Sequence, residues 1–169
     1  ATEAGNIFVA ADALYTVSDT HVNAYFDPQE LERKLRERLN RDTNDLNAYI
    51  ELADIYHHVT RNADALIELN RGLAIATKIK DDPKIVVAIT DMQTRKFDAL
   101  CALGEASRKS SESAKPNLAA ASEYYKNALA VALLPGLPLD LPVSALRALA
   151  DIAAECGALD TAVGYYQQI

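Results

Sequence analysis

Histidine, cysteine and carboxylate are the side chains able to move protons, hold metals or attack substrates, and here their spacing is poor for all three. His57 and His58 are neighbours. On a helix they point about 100° apart and cannot share a metal ion comfortably, so they read as helix-end histidines. His21 stands alone. Cys101 and Cys156 are far apart in the chain, outside any metal or redox spacing. Cys101 sits where a helix packs with a small residue and reads as a core thiol. There is no Gly-rich phosphate loop, GxSxG, HExxH or CxxC. The expectation is no catalytic residue, no metal ligand and no cofactor. The carboxylates Asp54, Asp98, Glu105 and Asp151 remain, either as solvated helix faces or as part of a binding surface.

The elements that carry those residues are helical. The chain is 169 residues, 50% hydrophobic and 24% charged, with few glycines and prolines. That is the composition of a folded soluble protein. A net charge of -7 argues against nucleic acid as ligand and favours basic partners. No segment reaches the apolar length of a membrane span, so direct membrane insertion is not expected. Unpaired-looking cysteines and the lack of a visible export signal point to the cytoplasm. The start without Met and the finish at GYYQQI read as a fragment or processed form.

Between Ala48 and Ala76 the apolar residues follow two helical stripes. Tyr49, Leu52, Ala53 and Tyr56 share one face; Ala65, Leu69, Gly72 and Leu73 share another, with a polar break at Thr60, Arg61 and Asn62. Small residues at Ala53, Ala65 and Gly72 mark where two helix backbones approach most closely. Near the C-terminus Leu146, Leu149, Ala150, Ala162 and Tyr166 repeat the pattern, with Gly157 at the turn. Leu52 to Ala65 and Leu149 to Ala162 are both 13 positions. An enlarged middle copy carries Phe97, Leu100 and Cys101, then Ala121, Tyr125 and Ala128, with the polar stretch from Arg108 to Asn117 as its extended turn.

This pattern resembles the tetratricopeptide repeat, a helix–turn–helix unit of 34 residues. The resemblance rests on Tyr49, Leu52, Ala53, Tyr56, Ala65, Leu69 and Gly72; Leu69 replaces the usual aromatic and Tyr49 the usual Trp. It implies an all-α fold, antiparallel helix pairs stacked as a right-handed superhelix, an α-solenoid. The expected organisation is an N-terminal segment, 1–26, packing on the array, and a leading charged helix, 27–43. The first repeat covers 44–79, an enlarged second repeat 80–134, a Pro/Leu loop 135–142, and a truncated third repeat 143–169.

Asp82-Pro83 predicts a long helix to about Ser107, whose overhanging Ile85, Val86, Ile89 and Met92 must be buried. Ile7, Phe8, Leu14, Tyr15 and Phe26 are the expected cover. The loop LLPGLPLDLP, with Leu137, Leu139 and Leu141, either seals the bundle or offers an apolar docking segment.

Such arrays bind peptides in a concave groove lined by their first helices. The resemblance therefore implies a peptide-binding groove at Asn47, Ile50, Asp54 and His57 in the first repeat. It adds Asp98 and Glu105, with Arg95 and Ala102, in the second, and Arg147 and Asp151, with Ser144 and Ala154, in the third. The carboxylate clamp of the family's chaperone-binding members is absent, because Ile50 and Asp54 stand where Lys and Asn are needed. The expected function is a protein–protein interaction module, an adaptor or assembly factor that takes a basic or amphipathic protein segment in an acidic groove. The alternative is a self-associating scaffold, a homo-oligomer organising a larger assembly.

Overall fold

The computed structural model describes residues 6–10, 13–17, 22–79, 83–109 and 116–169, with side chains from residue 27 onward. Three short strands come first: β1 (Asn6–Ala10), β2 (Ala13–Val17) and β3 (Val22–Phe26). They pair antiparallel in the order β1-β2-β3, with Phe8 opposite Tyr15 and Tyr15 opposite Ala24. This meander is an addition to the helical expectation. The expected apolar cover from Ile7, Phe8, Leu14, Tyr15 and Phe26 concerns side chains outside the described residues.

From Pro28 onward the chain is an α-solenoid. Its helices are α1 (Pro28–Arg41), α2 (Leu46–His58), α3 (Asn62–Ala76), α4 (Pro83–Arg108), α5 (Leu118–Ala132), α6 (Leu141–Glu155) and α7 (Leu159–Tyr166). Each packs on the next in chain order, and α2 also touches α4. The pairs α2–α3, α4–α5 and α6–α7 fall where three repeats were expected, except that α6 begins at Leu141, inside the stretch expected as the Pro/Leu loop.

Local chemistry sets the helix ends. Asp27 Oδ1 accepts from Gln29 N at 2.9 Å while Pro28 opens α1 without losing a donor. Asp45 and Asn117 cap α2 and α5 through the amides of Ala48 and Ala120, both at 3.0 Å. Gly157, at φ 76°, stops α6 in the left-handed conformation that glycine adopts without steric cost.

The core forms three clusters along the array. The first joins Leu35 and Leu39 of α1 to Leu52, Tyr56, Leu69 and Met92. The second holds Phe97, Leu100, Ala128, Val131 and Leu137, and the third Ala121, Tyr125, Leu149 and Ile152. Tyr56, Leu52, Leu69, Met92 and Leu149 are the largest fully buried side chains. Each contributes about 1.5–3 kcal/mol relative to exposure.

The small residues do what their spacing predicts. A Cβ on Gly72 would stand 2.7 Å from Met92 Sδ and 3.0 Å from Tyr49 Cβ, and one on Gly104 would stand 2.7 Å from the Tyr125 ring. One buried charge ties α1 to α3: Glu68 Oε1 accepts from Arg36 Nη2 and Arg71 Nη1, each at 2.9 Å. The two guanidinium groups balance its charge through one oxygen, and Glu68 Oε2 stays buried with no hydrogen-bond partner among the described residues.

The long helix meets its predicted start and passes its predicted end by one residue. Its overhang is only partly buried: Met92 is enclosed, Ile85 and Ile89 pack on the first cluster, and Val86 and Val87 are exposed. The physical reason is periodicity. Val86 and Val87 lie on the side of α4 turned away from α3. The Pro/Leu loop also divides. Leu137 joins the second cluster and Leu141 packs against it, whereas Leu139 is 91% exposed.

Candidate functional site

The inner helices α2, α4 and α6 bring most of the candidate residues onto one face of the array. On α4 the stripe Arg95, Asp98, Cys101, Glu105, Arg108 advances by three or four residues, so it keeps to one side of the helix. Two clefts flank it.

The first, about 60 Å³, is lined by Ala53, Asp54 and His57 of α2, Ala65 and Leu69 of α3, and Arg95, Asp98 and Ala99 of α4. Arg95 grips Asp54 with both arms, Nε to Oδ1 at 2.6 Å and Nη2 to Oδ2 at 3.1 Å. Its third nitrogen pairs with Asp91. Two carboxylates raise the Arg95 pKa above an already high value, and the hydrogen bond to Asp54 is the largest cause. His57 Nδ1 donates to Asn62 Oδ1 at 2.6 Å. Asp98 has its carboxyl pKa raised by partial desolvation, which the positive charges of His57 and Arg95 only partly offset.

The second cleft, about 340 Å³, lies between α4 and α6. Phe97, Cys101, Glu105 and Arg108 line one side, Ser144, Arg147, Ala148 and Asp151 the other, with Tyr125 behind. Tyr125 Oη donates to Glu105 Oε1 at 2.6 Å, and burial with this carboxylate raises the phenol pKa. Arg108 bridges the cleft to Glu155, Nε to Oε1 at 3.0 Å. Tyr166 Oη reaches Asp151 Oδ1 at 2.6 Å. Desolvation, with Asp98 and Glu105 nearby, pushes the Cys101 thiol up to about 12, which leaves it protonated and unreactive at neutral pH.

Asp54, His57 and Asp98 therefore meet in one cleft, and Glu105, Arg147 and Asp151 in the other. Asn47 is exposed near the start of α2 and lines neither. Ile50 is buried in the first core cluster, so its side chain belongs to the core and is not presented to a ligand. His57 and His58 are exposed in the last turn of α2. Among the described residues no three His, Cys, Asp or Glu side chains are placed to hold a metal, and no helix is long and apolar enough to cross a membrane.

Sequence reasoning missed the partners that bind these carboxylates: Arg95 for Asp54, Arg108 for Glu155, Tyr125 for Glu105 and Tyr166 for Asp151. The recurring tyrosines were a usable signal, since both phenols rise from the second helix of a pair to a carboxylate on the first. Asp54, Asp91, Glu105, Asp151 and Glu155 are each braced by an arginine or a tyrosine.

The class these features define is a helical-repeat protein with a polar inner face. No protein-family model matches the chain, and no curated protein matches it in sequence. Among solved structures it is similar to BtubC (BKLC) from P. vanneervenii, at 19% identity and a TM-score of 0.42, over 82% of this chain and 51% of that one. It is also similar to MamA, at 17% identity and a TM-score of 0.33, over 83% and 85%. These are likenesses of backbone arrangement, and the functional argument rests on this chain's own side chains.

Proposed function

We propose that this chain is a non-catalytic protein-interaction module of the cytoplasm, whose α2–α4–α6 face takes a basic or amphipathic protein segment as an adaptor or assembly factor would. The carrying observation is the second cleft. Ala148, over the nearly buried Phe97 and Tyr125, gives an apolar floor beside Glu105 and Asp151 in a space of about 340 Å³. Apolar anchors supply affinity and the surrounding carboxylates select a positive ligand. Asp54 contributes less, because Arg95 already occupies both its oxygens.

Affinity capture from host lysate at low and high salt, with the parent chain and an Asp151→Lys variant, tests the reading. Asp151 lines the second cleft and, among the described residues, is held by the Tyr166 hydroxyl rather than by an ion pair, so its reversal changes the cleft without stranding an arginine. A protein held at low salt by the parent and lost by the variant supports the proposal. Equal capture by both at either salt concentration sinks the acidic face as the binding surface.

A further inference from the structure

Lys96 is half-buried on α4, and in a chain of net charge -7 no carboxylate among the described residues pairs with it. It lines a pocket of about 400 Å³ between α3 and α5, with Leu66, Leu100 and Val131 as apolar floor and Asn70 and Asn127 as the other polar groups. The two carboxamides also make no side-chain hydrogen bond among the described residues. Gly72 abuts Met92 and Leu66 packs on the Leu100 cluster, so antiparallel α3 and α4 bring Asn70 level with Lys96. Tyr125 stands against Gly104, which sets Asn127 just beyond Leu100, about 9 Å along α4 from Lys96. A cation, an apolar floor and a second polar group therefore follow one another in line. Lys96 and Glu105 are nine positions apart and so on opposite sides of α4. The pocket opens away from the second cleft and shares no lining residue with either cleft.

We propose that this pocket binds one extended segment of a partner protein through an acidic side chain. Its carboxylate meets Lys96, and an apolar side chain two positions away lies on Leu66, Leu100 and Val131. The spacings agree: Lys96 and Leu100 are about 6 Å apart along the helix, and alternate residues of an extended chain stand about 6.6 Å apart on one face. Asn70 and Asn127 favour a peptide over a simple fatty acid. A carboxamide both donates to a carbonyl and accepts from an N–H, as a peptide unit requires. The net charge of -7 repels a strongly acidic partner, so the fitting segment carries a single carboxylate among apolar and neutral residues. This ligand is opposite in charge to the one proposed for the inner face, and the site stands whether or not the clefts bind anything.

The probe is the peptide acetyl-Leu-Ser-Glu-Ser-Leu-amide, whose blocked ends leave Glu as its only carboxylate, titrated into the 169-residue chain by calorimetry. Saturable binding at one site is expected. The same peptide with Gln in place of Glu should bind at least about tenfold more weakly. A Lys96→Met chain, which removes the charge and keeps an aliphatic side chain, should bind the two peptides equally while its circular dichroism remains that of the parent. A Lys96→Glu chain should instead prefer the peptide with Lys in place of Glu. Asp151→Lys should leave binding unchanged, which keeps this outcome apart from that of the cleft. Four results would overturn the proposal. The parent chain could show no saturable binding, or bind the Glu and Gln peptides equally, or its preference for Glu could survive Lys96→Met. Loss of binding on Asp151→Lys would place the peptide in the inner cleft. Decanoate bound in a Lys96-dependent way where the peptide is not would give the pocket to a free acid.

Discussion

The two clefts on either side of α4 share a helix and differ in nearly everything else. The first is nearly closed: alanines 53, 65 and 99 let the helices approach, and the Asp54–Arg95 pair spans the gap. In the second, Tyr125 stands against Gly104 and reaches Glu105, and the arginine bridge to Glu155 runs over open volume. The contrast separates two uses of one repeat. Small residues beneath an ion pair that engages both carboxylate oxygens make a joint, whereas an aromatic wall beneath a bridge to one carboxylate oxygen makes a receptacle. Of the two, the second has the larger space, about 340 Å³ against about 60 Å³.

Three substitutions sharpen or break that contrast. The largest effect is expected from Leu69→Ala, which empties the fully buried wall of the joint. It should lower unfolding free energy by about 2–5 kcal/mol in denaturant titration and leave the second cleft's ligand capture unchanged in folded protein. A loss well under that range would mean the joint is looser than its volume implies.

Gly104→Val should cost less, about 1–3 kcal/mol by the same titration, because its side chain must displace the Tyr125 ring. Unlike the first variant it should also disable ligand capture, and unaltered capture would detach Tyr125 from binding.

The smallest effect concerns Asp98→Asn. Burial raises the native pKa of Asp98, so below the ordinary carboxylate range both folded and unfolded states are protonated and the group is neutral in the balance. As pH rises the unfolded chain ionises first, and the native state carries a penalty that is complete above the raised pKa. The variant should melt slightly higher than the parent near neutral pH and match it near pH ~3. A difference that persists in acid would remove desolvation as the cause.

Helix pairing was legible from sequence because it depends on residues close in the chain. The Asp-Pro and Gly signals act within one or two turns, and the shared 13-position spacing within one helix–turn–helix pair. The β meander was harder to see. Strands of five residues such as NIFVA and ALYTV are apolar runs too short for periodicity to separate strand from helix. The helices that carry the candidate residues were legible, but the state of each side chain was not. Arg95 is 41 positions from Asp54, and no local pattern announces that the two meet. Ile50 illustrates the opposite case, since helical phase alone assigns it to the inner face and tertiary packing buries it.

The reach of α4 bears on how the molecule comes apart. A stack of repeats is close to a one-dimensional chain of couplings, able to lose units from either end. Here 26 residues of continuous helix run through that chain, with Met92 and Ala99 in the first core cluster and Phe97 and Leu100 in the second. Opening the boundary between those clusters means breaking one helix in its interior, while opening at α7 means releasing eight residues. Cooperativity is therefore concentrated around α4, whose two halves cannot be released one at a time without interrupting a helix.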